Sequence, residues 1–163
     1  MVLIRKANVK DISSIVKLWE EFMKDHDKIV LERNERLRLY TPRKKNAADN
    51  YRAFITEQLK SRKGAIFFAE VDDNIIGFTL VIIKDEIPVF KIEKIGYISD
   101  LFVKKEHRGK GISSQLMDKS IKWLKKNNMN HISIGLYVDN EFAHSVYKKK
   151  GFFDYKIEMR REI

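Results

Sequence analysis

The most constraining stretch of this chain is the turn Glu106-His107-Arg108-Gly109-Lys110-Gly111-Ile112-Ser113-Ser114. Before it runs Ile98-Ser99-Asp100-Leu101-Phe102-Val103, an apolar-rich strand pattern. After it, Leu116, Ile121 and Leu124 recur at helical spacing over residues 112–126. A strand that passes through a tight glycine turn into a helix commits the chain to packing helices on a sheet, an α/β architecture. Gly109 and Gly111 have no Cβ, so the backbone can take positive φ and come close to a ligand. The first N–H groups of the following helix lack internal acceptors and carry the positive end of its dipole. Arg108 and Lys110 add two cations at the same mouth. Such a turn can hold a phosphate. It can equally be a strand–helix turn that needs glycine and happens to be basic, and the turn alone leaves both readings open.

The spacing excludes the commoner phosphate loops. There is no G-x-x-x-x-G-K-[ST], and no G-x-G-x-x-G with an acidic residue about twenty positions on. The frame present, Glu106-x-x-Gly109-x-Gly111, resembles the acyl-CoA pyrophosphate loop of the GNAT N-acetyltransferase superfamily, [QR]-x-x-G-x-[GA]. Glu106 departs from the strict lead position, and Ser113 stands where many relatives have a third glycine. A second motif lies downstream. Asn140, Ala143, Val146, Tyr147, Gly151 and Phe152 fill every diagnostic place of the same family's N-x-x-A-x-x-[FLV]-Y-x-x-x-G-F. Physically this reads as a short helix with Asn140 at its start and Ala143 and Tyr147 one turn apart on one face. Gly151 would close that helix and Phe152 begin a strand.

Composition bounds the remainder. The 163 residues are expected to form one domain, 1–163, with 44% hydrophobic and 34% charged residues, in the range of globular proteins. No run approaches about 18 consecutive apolar residues, so no membrane span or membrane partner is expected. The opening Met1-Val2-Leu3-Ile4-Arg5-Lys6 lacks the apolar core of an export signal. The absence of cysteine removes disulfides, zinc–thiolate sites and a thiol nucleophile, and a cytoplasmic location is expected. His26, His107, His131 and His144 show no metal-ligand spacing, so no metal is expected. The net charge of +10 suits an anionic ligand. The clusters Arg43-Lys44-Lys45 and Lys148-Lys149-Lys150 could instead meet nucleic acid or form a solvated surface. Neither an aromatic-basic strand platform nor a helix-turn-helix is visible, so no specific nucleic-acid partner is expected.

Along the chain, residues 2–7 read as a strand and Asn8…Asp11 as a capping box opening a helix with Ile12, Ile15, Val16, Trp19 and Phe22 inward. Residues 27–45 suggest a short helix and a loop, and 46–61 a helix closed by Gly64. Runs 65–71 and 75–83 form a hairpin through Asp72-Asp73-Asn74, with 84–93 as a connecting loop. Strands follow at 94–103, 131–138 and 152–160, interleaved with helices at 112–126 and after Asn140. This order gives a mixed, mostly antiparallel twisted sheet flanked by helices, and it is also the order of a GNAT domain, in which the central strands splay apart.

The resemblance further implies acetyl-CoA as donor and a primary amine as acceptor, joined by direct attack without a covalent enzyme intermediate. On that reading the pantetheine arm pairs with Leu101 and Val103 beside Phe102, and an N–H near Leu101 polarises the acetyl carbonyl. Backbone N–H groups of Arg108, Gly109, Lys110, Gly111, Ile112, Ser113 and Ser114 hold the pyrophosphate. Asn140 and Ala143 border the arm, and Tyr147 protonates the departing thiolate. Relatives often carry a glutamate base on the strand before Leu101. Here the positions of that parity are Ser99 and Tyr97, and Asp100 reaches their face only through a bulge. Deprotonation is therefore assigned to ordered water held by Tyr97, Ser99 and Asp100. Asp100 could also be a buried structural acid. Residues 22–45 and 84–93 would flank the acceptor, with Asp25, Asp27, Glu32, Glu35, Asp85 and Glu86 suiting a cationic amine such as a polyamine, and His26 within reach. A protein N-terminus or lysine, a non-catalytic acyl-CoA sensor and a homodimer through the C-terminal strand remain as alternatives.

Overall fold

In the computed structural model, which describes residues 1–163, the strands β1 (Leu3–Lys6), β2 (Gly64–Val71), β3 (Asn74–Asp85), β4 (Lys94–Val103) and β5 (Ile132–Ile134) lie side by side in that order. Neighbours are antiparallel except β4 and β5, which run parallel through Gly96↔Ile132, Tyr97↔Ser133 and Ile98↔Ile134. Helices α1 (Ile12–Arg33) and α2 (Ala47–Lys60) cover one face, and α3 (Ile112–Lys126) the other. A short helix, α4 (Glu141–Lys149), follows β5. No helix is long and apolar enough to cross a membrane.

Alternation along the strands sorts the core into two layers. Ile66, Phe68, Phe78, Leu80, Ile82 and Phe102 meet Ile15, Val16, Leu18 and Ile55 of α1 and α2. Ala65, Phe67, Ala69, Ile76, Val81 and Val103 meet Ile112, Leu116 and Leu124 of α3. β2 and β3 are buried on both faces, which is why they read as near-continuous apolar runs. Their hairpin closes through Asp72 (φ +48°) and Asp73 (φ +62°), a two-residue turn of the kind whose twist suits right-twisted strands.

Asn8 starts the first helical segment as expected: its side chain accepts from Lys10 N (2.9 Å), and Asp11 Oδ2 accepts from Asn8 N (2.8 Å). Where the structure departs from the expectations, the reasons are local. α1 continues to Arg33, so residues 27–33 extend it rather than form a separate short helix, and a 3-10 turn, Glu35–Leu39, follows. Ser61 rather than Gly64 caps α2, and Gly64 is the first residue of β2. The strand expected over 131–138 is only Ile132–Ile134, because the chain bends into the turn that bonds Asn140 N to Tyr137 O (2.9 Å). The strand expected over 152–160 is absent. Phe153, Tyr155, Ile157 and Met159 are 77–90% exposed, since so short a β5 offers no edge for them to pair with.

Candidate active site

The β3–β4 register breaks once. Leu80 pairs with Asp100 and Val81 with Ile98, so Ser99 is an extra residue, a β-bulge. Its effect can be followed through the backbone. Gly96 N donates to His131 O (2.9 Å), on the β5 side, while Lys104 N donates to Ile76 O (2.9 Å) on β3. Alternation from each end then turns the Ile98 N–H toward β5 and the Leu101 and Val103 N–H groups away from β3. Pairing with β5 stops at Ile98↔Ile134, so the β4 edge from Leu101 to Val103 is open. The same bulge sets Tyr97 and Asp100 on one face, with Phe102, toward α1 and α2. Ser99, half-buried in the bulge, makes no side-chain hydrogen bond.

The acid at this edge has one partner. Tyr51 of α2 donates its hydroxyl to Asp100 Oδ2 (2.8 Å), and its ring stacks on Trp19 of α1 with centroids 4.4 Å apart and planes 12° from parallel. Burial pushes the Asp100 carboxyl up to about 6, against the Tyr51 hydroxyl, which pulls it down. Burial, with the Asp100 charge second, raises both Tyr97 and, much further, Tyr51 above the ordinary phenol value, so both stay protonated. The Tyr97 hydroxyl stands beside Gly135, where a Cβ would come within 3.2 Å of it. Tyr51 was not singled out from sequence: it sits in the apolar stripe of its helix, and no spacing links positions 51 and 100.

The basic turn is open. Gly109 (φ +76°) and Gly111 (φ +73°) take the left-handed conformation, and a Cβ at either would meet nothing within 4 Å. Gly111 caps α3 without a side-chain bond, and every backbone N–H from Gly109 to Ser114 is without a protein acceptor. That is a cradle for an anion. Arg108 plays a different part from the one expected. Its backbone N–H bonds Lys105 O (3.2 Å), its Nε bonds Val103 O (2.8 Å), its Nη2 bonds Asp25 of α1, and its guanidinium lies 5.8 Å from the Phe102 ring centroid. It fastens the turn to β4 and α1 rather than leaving its charge free, and it occupies the Val103 carbonyl. Lys110 Nζ bonds Glu106 O (3.3 Å), and Ile112 is buried in the α3 layer.

After β5, Asn140 caps α4 by accepting from Ala143 N (3.2 Å). Tyr147 is half-buried, 6.0 Å from Phe152 between ring centroids, and burial raises its pKa. Gly151 (φ +88°) follows the helix end as its motif requires. His26 lies within α1. Its ring is 5.1 Å from that of Tyr137, its Nδ1 is buried without a hydrogen bond, and burial holds its pKa low. Most acids expected to line an amine groove are already engaged. Asp25 meets Arg108, Asp27 is gripped by Arg43, Glu35 lies 3.5 Å from Arg38, and Asp85 lies 4.0 Å from Lys63.

Residues 17–152 match the acetyltransferase (GNAT) family. The chain is 30% identical over 111 residues to an N-alpha-acetyltransferase of Sulfurisphaera tokodaii, covering 64% of this chain and 65% of that one. It is 41% identical over 61 residues to N-alpha-acetyltransferase 30 of Schizosaccharomyces pombe, covering 37% of this chain and 41% of that one. The chain thus matches less than two thirds of the length of either. A predicted acetyltransferase from Clostridium acetobutylicum, solved with acetyl-CoA, superposes with a TM-score of 0.76 at 22% identity, over 99% of this chain and 96% of that one, a likeness of fold. The match across most of the chain shows that this protein belongs to the acetyltransferase (GNAT) family.

Proposed function

We propose that this protein transfers the acetyl group of acetyl-CoA to a primary amine by direct attack, and that the amine is the α-amino group of a polypeptide. The observation that carries the reading is the Tyr51–Asp100 pair on the helix-covered face of β4, next to the unpaired edge at Leu101. In this reading Gly109 to Ser114 hold the pyrophosphate with their free N–H groups, and the open space around both glycines accommodates it. When bound, acetyl-CoA supplies the thioester. The Leu101 N–H faces its carbonyl oxygen and steadies the charge that develops there. Asp100, as carboxylate, takes a proton from the ammonium form of the acceptor. The freed nitrogen bonds the acetyl carbon, the carbon–sulfur bond breaks, and Tyr147 gives its phenolic proton to the leaving thiolate; the second proton, shed by the nitrogen as the amide forms, returns through water to the Tyr147 phenolate. Tyr97 lines the acceptor path, and Asn140 and Ala143 border the arm of the donor. Ordered water beside Ser99 relays the proton where the acceptor does not touch Asp100 directly.

Matching proton affinities support this acceptor. A base near 6 is about 2 units below an α-amino group, near 7.7–8.0, but more than 4 below an alkyl amine, near 10.4. Each unit costs about 1.4 kcal/mol, so an alkyl amine starts roughly 3 kcal/mol worse off. The names of the two relatives and the neutralised groove acids support the same choice. The polyamine expectation required free acids, and only Glu32 and Glu86 of those named have no cation within 4.0 Å. The test is calorimetric binding of acetyl-CoA followed by thiol release with peptides, spermidine, amino sugars and a lysine-side-chain peptide with a blocked N-terminus. Turnover confined to free peptide α-amines supports the reading. Turnover of spermidine alone overturns the acceptor, and tight binding without turnover on any amine makes the domain a sensor.

The cysteine-free composition is in keeping with work in the cytoplasm, by residues 1–163 acting as one domain. A homodimer is proposed through residues 153–159, whose exposed Phe153, Tyr155, Ile157 and Met159 alternate with polar residues as a strand's would. Light scattering that finds only monomer at all concentrations overturns it.

A further inference from the structure

We propose that Lys84 selects acceptors that carry an acidic group about two residues along from the reacting amine; this rests on the peptide-acceptor reading above. Lys84 ends the part of β3 that faces Tyr97. Ile82 pairs with Tyr97 and Lys84 with Ile95, so alternation puts Lys84 on the same face as Tyr97 and Asp100. Its Nζ lies 3.3 Å from the centroid of the Tyr97 ring, a cation held on an aromatic face. No carboxylate comes within 4.0 Å of it, whereas its neighbour Asp85 is taken by Lys63. Glu86, whose charge it feels, stays beyond that distance. Partial burial lowers the lysine's pKa, as expected of a cation that lacks a partner.

Position gives this cation its role. Tyr97 precedes Asp100 by three residues, one of them the bulged Ser99, so their backbones are roughly 7–10 Å apart along β4. An extended peptide advances about 3.3–3.6 Å per residue. With its α-amine at Asp100, its second or third side chain comes level with Tyr97 and Lys84. The near face of the ring is already occupied by an ammonium, so a second cation there is repelled and a carboxylate is drawn in.

The experiment compares kcat/KM for peptides beginning Ser-Glu-Glu and Ser-Lys-Lys, and for 6-aminohexanoate against its amide, in which amine and acid are held a similar distance apart. Wild type is expected to prefer the acidic peptide by about fivefold, through KM, with the preference shrinking at high salt, and any residual turnover of the alkyl amines should favour 6-aminohexanoate over its amide. Lys84→Arg should keep the preference, Lys84→Gln abolish it and Lys84→Glu reverse it. Lys84 is exposed, so the variants are expected to fold. Equal rates within both pairs, or a preference that survives Lys84→Glu, overturns the assignment. Turnover of 6-aminohexanoate with silence on peptides refutes the polypeptide acceptor while supporting the Lys84 subsite. Silence on both pairs overturns both.

Discussion

Replacing Asp100 with Asn removes one charge and leaves the shape and the Tyr51 hydrogen bond in place, since an amide oxygen still accepts from the hydroxyl. Two consequences follow from the same burial. The carboxyl rises from 3.8 to about 6 on folding. Below the lower value the group is protonated in both states and has no effect on stability. Between the two values the unfolded chain ionises while the folded chain does not, so stability falls as pH rises, and above about 6 the loss is constant. At about 1.4 kcal/mol per unit, the full loss is about 3 kcal/mol. Asp100→Asn should therefore be more stable than wild type at pH 8 by up to about 3 kcal/mol, or roughly 6–12 °C in Tm for a chain of this size, and equal to it at pH 3. The same variant should lose about 10²–10⁴ in kcat, because the proton acceptor is gone, while acetyl-CoA binding by calorimetry persists. Wild-type kcat/KM should show an acid limb near 6 that the variant lacks. Thermal melts at the two pH values and thiol-release kinetics check both halves. A variant no more stable at pH 8, with activity within threefold of wild type, would refute a buried ionised base at position 100.

Further tests address the other parts of the site. Tyr51→Phe removes the hydroxyl that pulls the carboxyl down, so the acid limb should move above 6; a limb that stays put or falls contradicts the pairing. Tyr147→Phe should lower kcat about 10–100-fold, with the acetyl-CoA Kd within about twofold of wild type, measured by thiol release and calorimetry. Gly109→Ala and Gly111→Ala meet open space but keep a positive φ, so each should cost about 1–2 kcal/mol of stability. The acetyl-CoA Kd should rise at least tenfold, and an unchanged Kd would remove these residues from the anion cradle.

Much of this arrangement was legible in the chain because it is written locally. Gly109, Gly111 and Gly151 all take positive φ, Asn8 and Asn140 both cap, and Asp72-Asp73 turns as read. The bulge at Ser99 was visible only as something Asp100 would need, since a register shift depends on how β3 lies beside β4. Tyr51 and Arg108 mark the limit more clearly. Their partners, Asp100 and Asp25, lie 49 and 83 positions away, and no periodicity joins residues across such distances. The 152–160 segment failed for a converse reason. Its alternation is that of a strand, yet a strand exists only with an edge beside it, and β5 ends at Ile134.

Burial acts on both ends of the proposed proton path in the same direction and with opposite use. It raises Asp100, an acid ordinarily ionised and weakly basic, toward the affinity of the amine it must deprotonate. It also raises Tyr147, already protonated at neutral pH, and so keeps its proton in place until a thiolate develops beside it. The proposed base and acid begin on opposite sides of neutrality, and apolar cover raises both without reversing that order. Any substitution that admits water to either side chain should lower its proton affinity. At Asp100 it would restore an ordinary carboxylate, which binds its proton about a hundredfold more weakly and hence is a poorer base for an α-amine.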